Sequence, residues 1–85
     1  MHFSRLGLIK QLSSEYGSGF PIADATFAVD SLNEDWNAQA VGAAQDYLKI
    51  MAFSCQGLIK QLSSQYGSQF TVDQATYGAT QAGLC

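Results

Sequence analysis

Few side chains in this chain of 85 residues have the type and spacing that catalysis needs. The serine pairs Ser13–Ser14 and Ser63–Ser64 are not flanked by the Gly-x-Ser-x-Gly turn that exposes a nucleophilic serine. The single histidine, His2, stands beside the chain start, where backbones fray. The adjacent acids Glu34 and Asp35 have the chemistry for proton transfer, but acids at a helix start more often stabilise the helix dipole. We therefore predict that the chain is not an enzyme.

The sequence also predicts no metal or other cofactor. Cys55, Cys85 and His2 lack the spacing of a metal site. Position 55 aligns with Arg5 in an internal repeat, which indicates a surface site, and Cys85 is the last residue. A Cys55–Cys85 disulfide is conceivable, but we expect a free surface cysteine because chain ends fray. The stretch 17–19 follows a predicted helix and lacks the lysine of a phosphate-binding loop.

Aromatic side chains leave two interpretations open. Trp36 and the four tyrosines have the amphipathic character of a carbohydrate or peptide platform. Their helical spacing favours the other interpretation, in which they pack in a core.

Acidic residues are concentrated in one part of the chain, whose net charge is −3. Six of the seven acids lie between Gln11 and Leu48, a span without lysine or arginine. Such a span is a solvated surface or an acidic face for a basic partner. It is unsuited to phosphate backbones, so we predict no nucleic-acid binding.

The chain contains an internal duplication. Residues 3–33 align with 53–83 at an offset of 50, and 16 of the 31 pairs are identical. We call 3–33 the first copy, 53–83 the second copy and 34–52 the middle segment. Residues 1–4 match 51–54 in pattern, so the start resembles a repeat boundary in a longer array. The second copy resembles a terminal, capping repeat.

Each copy is predicted to form two helices. In the first copy Ser4 is a candidate N-cap, and an apolar stripe follows one face of the helix: Leu8, Ile9, Leu12 and Tyr16. Gly17 is predicted to end this helix, and Phe20 to pack as the hydrophobic staple that sets how the next helix begins. The second copy repeats the pattern from Ser54 to Phe70. The second helices start at Pro21 and at the capping box Thr71–Gln74, and place their apolar residues inward: Ile22, Ala25, Val29, Leu32, Val72, Ala75 and Ala79.

The middle segment is predicted to be a longer helix capped by Asp35. Its inward stripe holds Trp36, Ala40, Ala43 or Ala44, Tyr47 and Met51, and Gly42 marks a close helix crossing. The predicted fold is all-α, a small bundle of two helix–turn–helix repeats joined by a central helix. A DNA-binding helix–turn–helix is disfavoured, because neither second helix carries the lysine or arginine that a recognition helix needs.

The pattern resembles the repeat of the Ltp-family host cell surface-exposed lipoproteins. The family repeat reads roughly as Phe-Ser, Gly-Leu-Ile-x-Gln-Leu, Tyr-Gly-x-x-Phe, Ala-x-Tyr-Ala-Val, Asp-Trp-Asn-x-Gln-Ala and a helix ending in Tyr-Leu. These elements stand here at 3–4, 7–12, 16–20, 25–29, 35–40 and 47–48, and the second copy supplies 53–62, 66–70 and 75–78.

The resemblance implies an all-α repeat without catalytic activity or cofactor, exported and lipid-anchored at the surface of Gram-positive cells. Phage-encoded relatives act in superinfection exclusion: they block the entry of another phage's DNA, and the block acts through the tape-measure protein of that phage's tail. This chain shows no signal peptide and no lipobox cysteine, so its localisation follows from the resemblance.

The residues expected to bind a protein partner are the acids Asp24, Asp30, Glu34, Asp35 and Asp46. The resulting hypothesis is a non-enzymatic cell-surface interaction module. The alternative is a structural, wall-associated envelope repeat without a phage role. The oligomeric state is left open.

Overall fold

The computed structural model describes residues 2–14 and 19–85, and every regular element in these ranges is helical. The helices are α1 Arg5–Ser13, α2 Ile22–Asp30, α3 Trp36–Ile50, α4 Cys55–Ser63 and α5 Val72–Gln81. The predicted all-α class, with short helices on both sides of a longer one, is confirmed.

The helix starts follow the predicted capping chemistry. Four side chains accept hydrogen bonds from backbone N–H groups of the first turn: Ser4, Asp35, Ser54 and Thr71. Thr71 and Gln74 form the complete capping box, each side chain bonding the other's backbone. Pro21 precedes α2 with no side-chain cap, as its preset φ allows. Local sequence therefore sets where the helices begin.

The larger core lies between α3, α4 and α5. Small residues of α3 meet the leucines of α4, a phenylalanine of the turn and alanines of α5: Ala40, Ala43, Ala44, Leu58, Leu62, Phe70, Ala75 and Ala79. A smaller cluster of Ile9, Ala25 and Val29 lies between α1 and α2, with Trp36 packed against it. Helix α3 thus covers α4 and α5 of the second copy. The pair α1 and α2 of the first copy is covered mainly by the side chain of Trp36, the first residue of α3.

Several side chains predicted to point inward are exposed: Ile22, Leu32, Met51, Tyr66 and Val72. Phe20 was expected to staple α2 but is 51% exposed, whereas its counterpart Phe70 is 3% exposed. Similar local sequence gives different burial here, because most of the buried residues of α3 pack on the second copy, whereas Trp36 alone packs against the described cluster of the first copy. Periodicity identified the helices but overestimated the width of their buried faces.

The turn after α4 differs from the prediction. The helix ends at Ser63, and Ser64 is already extended, so Gly67 does not close it. The left-handed residue of this turn is Gln69, with φ 61°, and its counterpart Gly19 has φ 68°. Gly67 lies instead against the carbonyl of Gln61, where a Cβ would clash. The predicted roles of Tyr16 and Gly17 fall outside the described residues.

The expectation of a free surface cysteine is wrong. Cys55 and Cys85 form a disulfide with a Cα–Cα distance of 5.1 Å. The chain end does not fray, because Gly83 is left-handed (φ 87°) and the Leu84 N–H bonds the carbonyl of Ala79 at 3.1 Å. Leu84 also packs against the larger core. This helix-closing motif carries Cys85 back to the start of α4.

The predicted close helix crossing is found at another glycine. The nearest atoms to Gly42 belong to the ring of His2, which lies over α3 at that point. The tight crossing is between α5 and α3, where Gly78 faces the backbone of Ala40.

Candidate protein-interaction surface

Three of the five predicted site residues, Asp30, Glu34 and Asp35, lie at the junction of α2 and α3, and a fourth, Asp24, lies at the opposite end of α2. Asp24 is in the first turn of α2, Asp30 is its last residue, and Glu34 and Asp35 precede α3. All four are exposed. We call these four the acidic surface.

Asp46 lies apart from the acidic surface. It is near the far end of α3, about 16 Å from Asp35 at the rise of an α-helix. Its carboxylate accepts a hydrogen bond from Nδ1 of His2 at 2.7 Å, and this bond lowers the pKa of Asp46. The contact fastens the N-terminal segment to α3, so Asp46 has a structural partner of its own.

Asp30 is neutralised by Arg5. Nε and Nη2 of the guanidinium donate to its two carboxylate oxygens at 2.7 and 3.1 Å. This side-chain hydrogen bonding, with some help from the opposite charge, holds the pKa of Asp30 below its ordinary 3.8. The pair joins the start of α1 to the end of α2. Asp30 therefore adds little net charge to the acidic surface.

Asp35 is occupied by the backbone. Its Oδ1 accepts the N–H groups of Asn37 and Ala38 at 3.0 and 3.2 Å. A carboxylate at this place also suits the positive end of the helix dipole. Asp35 still contributes negative charge, but its substitution would disturb α3.

Asp24 and Glu34 are the carboxylates best placed to meet a partner. Neither forms an ion pair with any residue that the structure describes. Glu34 accepts one hydrogen bond, from the side-chain amide of Gln39 at 3.0 Å. The acidic surface is thus carried by two unpaired carboxylates and the capping Asp35.

Exposed aromatic side chains form a second surface feature that sequence periodicity missed. Phe27 and Tyr77 occupy equivalent positions of α2 and α5, and both are exposed. Tyr66, in the turn after α4, is 91% exposed, so core packing is the wrong interpretation for it. Tyr47 is partly buried, with its hydroxyl 2.9 Å from the hydroxyl of Ser68. Equivalence of positions 27 and 77 was visible in the duplication, but their exposure was not.

A groove of about 430 Å³ separates the start of the first copy from the turn of the second. Its lining includes Phe3, Lys10, Tyr47 and Gln69. The Ser4 hydroxyl crosses one end and donates to the carbonyl of Ser68. The groove holds one cationic side chain and no carboxylate among its described lining residues, so it is chemically distinct from the acidic surface.

Two properties of the described residues bear on metal binding and on insertion into a membrane. Those residues contain no group of three or more His, Cys, Asp or Glu side chains able to hold an ion. Of the helices in 2–14 and 19–85, none is both long and apolar enough to cross a membrane.

Comparison with known proteins gives one match. A family model described as "Host cell surface-exposed lipoprotein" matches residues 1–32 and 35–81. Searches of the curated proteins and of the solved structures found no match. The family match covers both copies and nearly all of the middle segment.

Proposed function

Because the chain belongs to the host cell surface-exposed lipoprotein family, we propose that it is a non-enzymatic protein-interaction module at the cell surface. The observation that carries the proposal is the acidic surface, whose Asp24 and Glu34 are exposed and unpaired among the described residues. Exposed charge of one sign attracts a basic partner and sets its orientation.

The disulfide supports an extracytoplasmic location. Disulfides persist outside the reducing cytosol and are characteristic of small exported domains. The Cys55–Cys85 bond closes the second copy and so suits a domain that works at the cell surface.

The partner we propose is a phage tail tape-measure protein, as the family resemblance implies. Binding to it at the cell surface would block DNA entry by a second phage and so give superinfection exclusion. The chain's part in that process is recognition through the acidic surface.

A matched pair of charge reversals tests the acidic surface. Asp24 and Asp73 each lie in the first turn of a nine- or ten-residue helix, and both are exposed. Asp24→Lys removes a carboxylate of the acidic surface, whereas Asp73→Lys makes the same charge change elsewhere. We expect Asp24→Lys to weaken binding to purified tape-measure protein and to reduce protection against the phage, and Asp73→Lys to do neither.

Glu34→Lys extends the test, and Asp35 requires separate treatment. Asp35→Ser keeps a helix cap while removing the charge, whereas Asp35→Lys would remove the cap as well. Equal binding by wild type, Asp24→Lys and Glu34→Lys would refute the acidic surface as the recognition site. Salt should weaken wild-type binding, because the attraction between exposed charges is screened.

A second candidate function is packing against an envelope polymer, and the exposed aromatics favour it. Phe27, Tyr66 and Tyr77 present ring faces of the kind that stack on sugars. In that case purified cell wall would retain the chain at high salt, and Tyr66→Ser with Tyr77→Ser would release it. Retention that salt abolishes would favour the acidic surface instead.

A further inference from the structure

The two copies differ in what covers them, and this difference exposes one face of the first copy. In the second copy α3 packs along α4 and α5, burying Leu58 and Leu62 completely and Phe70 almost completely. Gly78 is buried under α3 and Ala82 is partly buried against the same core.

The equivalent positions of the first copy are more open. They are Leu8, Leu12, Phe20, Ala28 and Leu32, which we call the open face. Leu8 and Leu12 are partly buried, Ala28 is exposed, and Phe20 and Leu32 are each more than half exposed. Trp36 packs with Leu8 and Leu12 against the cluster of α1 and α2, and Phe20, Ala28 and Leu32 are not among the described residues of that cluster.

The second copy shows what kind of element fits such a face. Its occupant, α3, is a single helix whose buried contact residues are Ala40, Ala43 and Ala44, with the larger Tyr47 and Leu48 packed partly buried beside them. Small residues let the helix backbone approach α5 closely, as at Gly78. Since α1 and α4 share seven consecutive identical residues, the open face presents much of the same chemistry.

The open face differs in charge from the equivalent face of the second copy. Asp24 and Ala28 are four residues apart and lie on one row of α2, and Leu32 follows two residues after the helix ends. The corresponding row of α5 has neutral Gln74 in place of Asp24. Glu34 comes two residues after Leu32 and is exposed, so along the chain one acidic residue precedes Ala28 and Leu32 and another follows them.

We propose that the open face is a docking site for one basic helix of another protein, with small residues along its contact surface and lysine or arginine near its ends. The inference rests on the proposed interaction function and specifies the type of partner that the acidic surface attracts. A second copy of this chain is a poor occupant, because its own α3 contact surface is already buried and its net charge is −3.

The first copy also sets the spacing of the docked helix. Ala28 stands where the second copy has Gly78, and a Cβ on Gly78 would lie 2.7 Å from the carbonyl oxygen of Ala40. A helix on the open face must therefore lie farther out than α3 does. The larger separation leaves room for an alanine or serine side chain on the partner helix, at the position where the backbone of α3 faces Gly78.

The test uses two peptides made from the chain's own α3. One has the natural sequence of residues 34–52, and the other carries Asn37→Lys and Gln45→Lys, at positions exposed in α3. Each is added to the isotopically labelled full chain, and amide NMR shifts are followed. We expect shifts at Leu8, Leu12, Ala28 and Leu32, tighter binding of the lysine peptide, and a stronger salt dependence for that peptide.

A matched pair of variants locates the site. Ala28→Glu places a carboxylate in the open face, while Phe27→Glu changes the adjacent side chain, which is 77% exposed. Both positions are exposed, so both variants should fold. Burying an unpaired carboxylate should weaken peptide binding at least about tenfold in Ala28→Glu, with Phe27→Glu near wild type.

The contradicting results are specific. Absence of binding by both peptides, equal binding by Ala28→Glu and wild type, or an equal loss in Phe27→Glu would each overturn the docking site. Dimerisation in sedimentation, lost in Ala28→Glu, would show that the occupant is a second copy and would also overturn it. If Asp24→Lys still abolishes partner binding while the peptides do not bind, the docking inference fails and the proposed function stands. If the peptides bind while Asp24→Lys leaves partner binding intact, the docking site stands and the proposed recognition through the acidic surface fails.

Discussion

A Cβ on Gly78 of α5 would lie 2.7 Å from the carbonyl oxygen of Ala40 on α3. The two helices therefore meet backbone to backbone, and Gly78 is the residue that permits it. This contact fixes how α3 lies over the second copy, and through it the burial of Leu58, Leu62 and Phe70. It also separates the two copies, since the first has Ala28 at the same place.

Gly78→Ala should destabilise the protein by about 2 kcal/mol, because overpacking outweighs the roughly 1 kcal/mol gained in helix propensity. The control is Ala28→Gly, at the equivalent exposed position, which should cost only about 1 kcal/mol of helix propensity. Urea unfolding followed by circular dichroism measures both. A stabilising Gly78→Ala would show that α3 and α5 do not cross closely.

Phe70 and Phe20 provide a second comparison between equivalent positions. Phe70→Ala should lower the free energy of unfolding by about 3–4 kcal/mol, because it opens a cavity in the larger core. Phe20→Ala should cost about 1 kcal/mol or less, since the Phe20 ring is half exposed. Equal losses in thermal or urea unfolding would mean that the two copies are covered to the same extent. If Phe20→Ala lowers the free energy of unfolding strongly only when the lysine peptide is present, the result would agree with docking on the open face.

Reduction of the Cys55–Cys85 disulfide should destabilise the fold. The cysteines are 30 residues apart, so loop-closure entropy gives a contribution of about 3.5 kcal/mol. Unfolding with and without reductant measures it, and Cys55→Ser with Cys85→Ser should be as unstable as the reduced protein. The control is reductant added to that double variant, where no change is expected. Unchanged stability on reduction of the wild type would contradict the prediction.

The pH titration of the Asp30 carboxyl should show its pairing with Arg5. Hydrogen bonding to Arg5 lowers the pKa of Asp30 in the folded state, so the carboxylate form stabilises the fold. That contribution is complete above the unfolded pKa of about 4 and is lost as the pH falls through the lowered folded value. Carboxyl NMR should show Asp30 titrating below 3.8 in the wild type and moving upward in Arg5→Ala. Asp46, paired with His2, serves as the internal reference and should not move in that variant.

The first turns of the helices were predictable because capping is local. Ser4, Asp35, Ser54 and the Thr71–Gln74 box each act on backbone groups within three residues, so sequence spacing determines them. The positions of Asp24, Asp30, Glu34 and Asp35 relative to the helix ends were predictable for the same reason, and their role in binding a partner stays a prediction. Asp46 was grouped with them by sign of charge, and the length of α3 places it elsewhere.

Pairing between distant residues was not predictable. The link from Arg5 to Asp30 joins two helices, and that from His2 to Asp46 spans 44 positions. The disulfide was rejected on the expectation of a frayed end, yet Gly83 and Leu84 return the chain to α4. The signal was present, since a glycine followed by an apolar residue after a helix is a closing motif, but its target depended on where α4 lies.

Five helices and their starts could be read from the chain because capping and periodicity depend on neighbours a few residues apart, and the duplication and the concentration of carboxylates are properties of the sequence. Tertiary structure alone decided which copy α3 covers. Phe20 and Phe70 each follow the same eight-residue phrase and a similar turn, but one ring is half exposed and the other is buried. Burial depends on the third helix that packs on a pair, and only the second copy has Gly78 beneath it to let that helix approach.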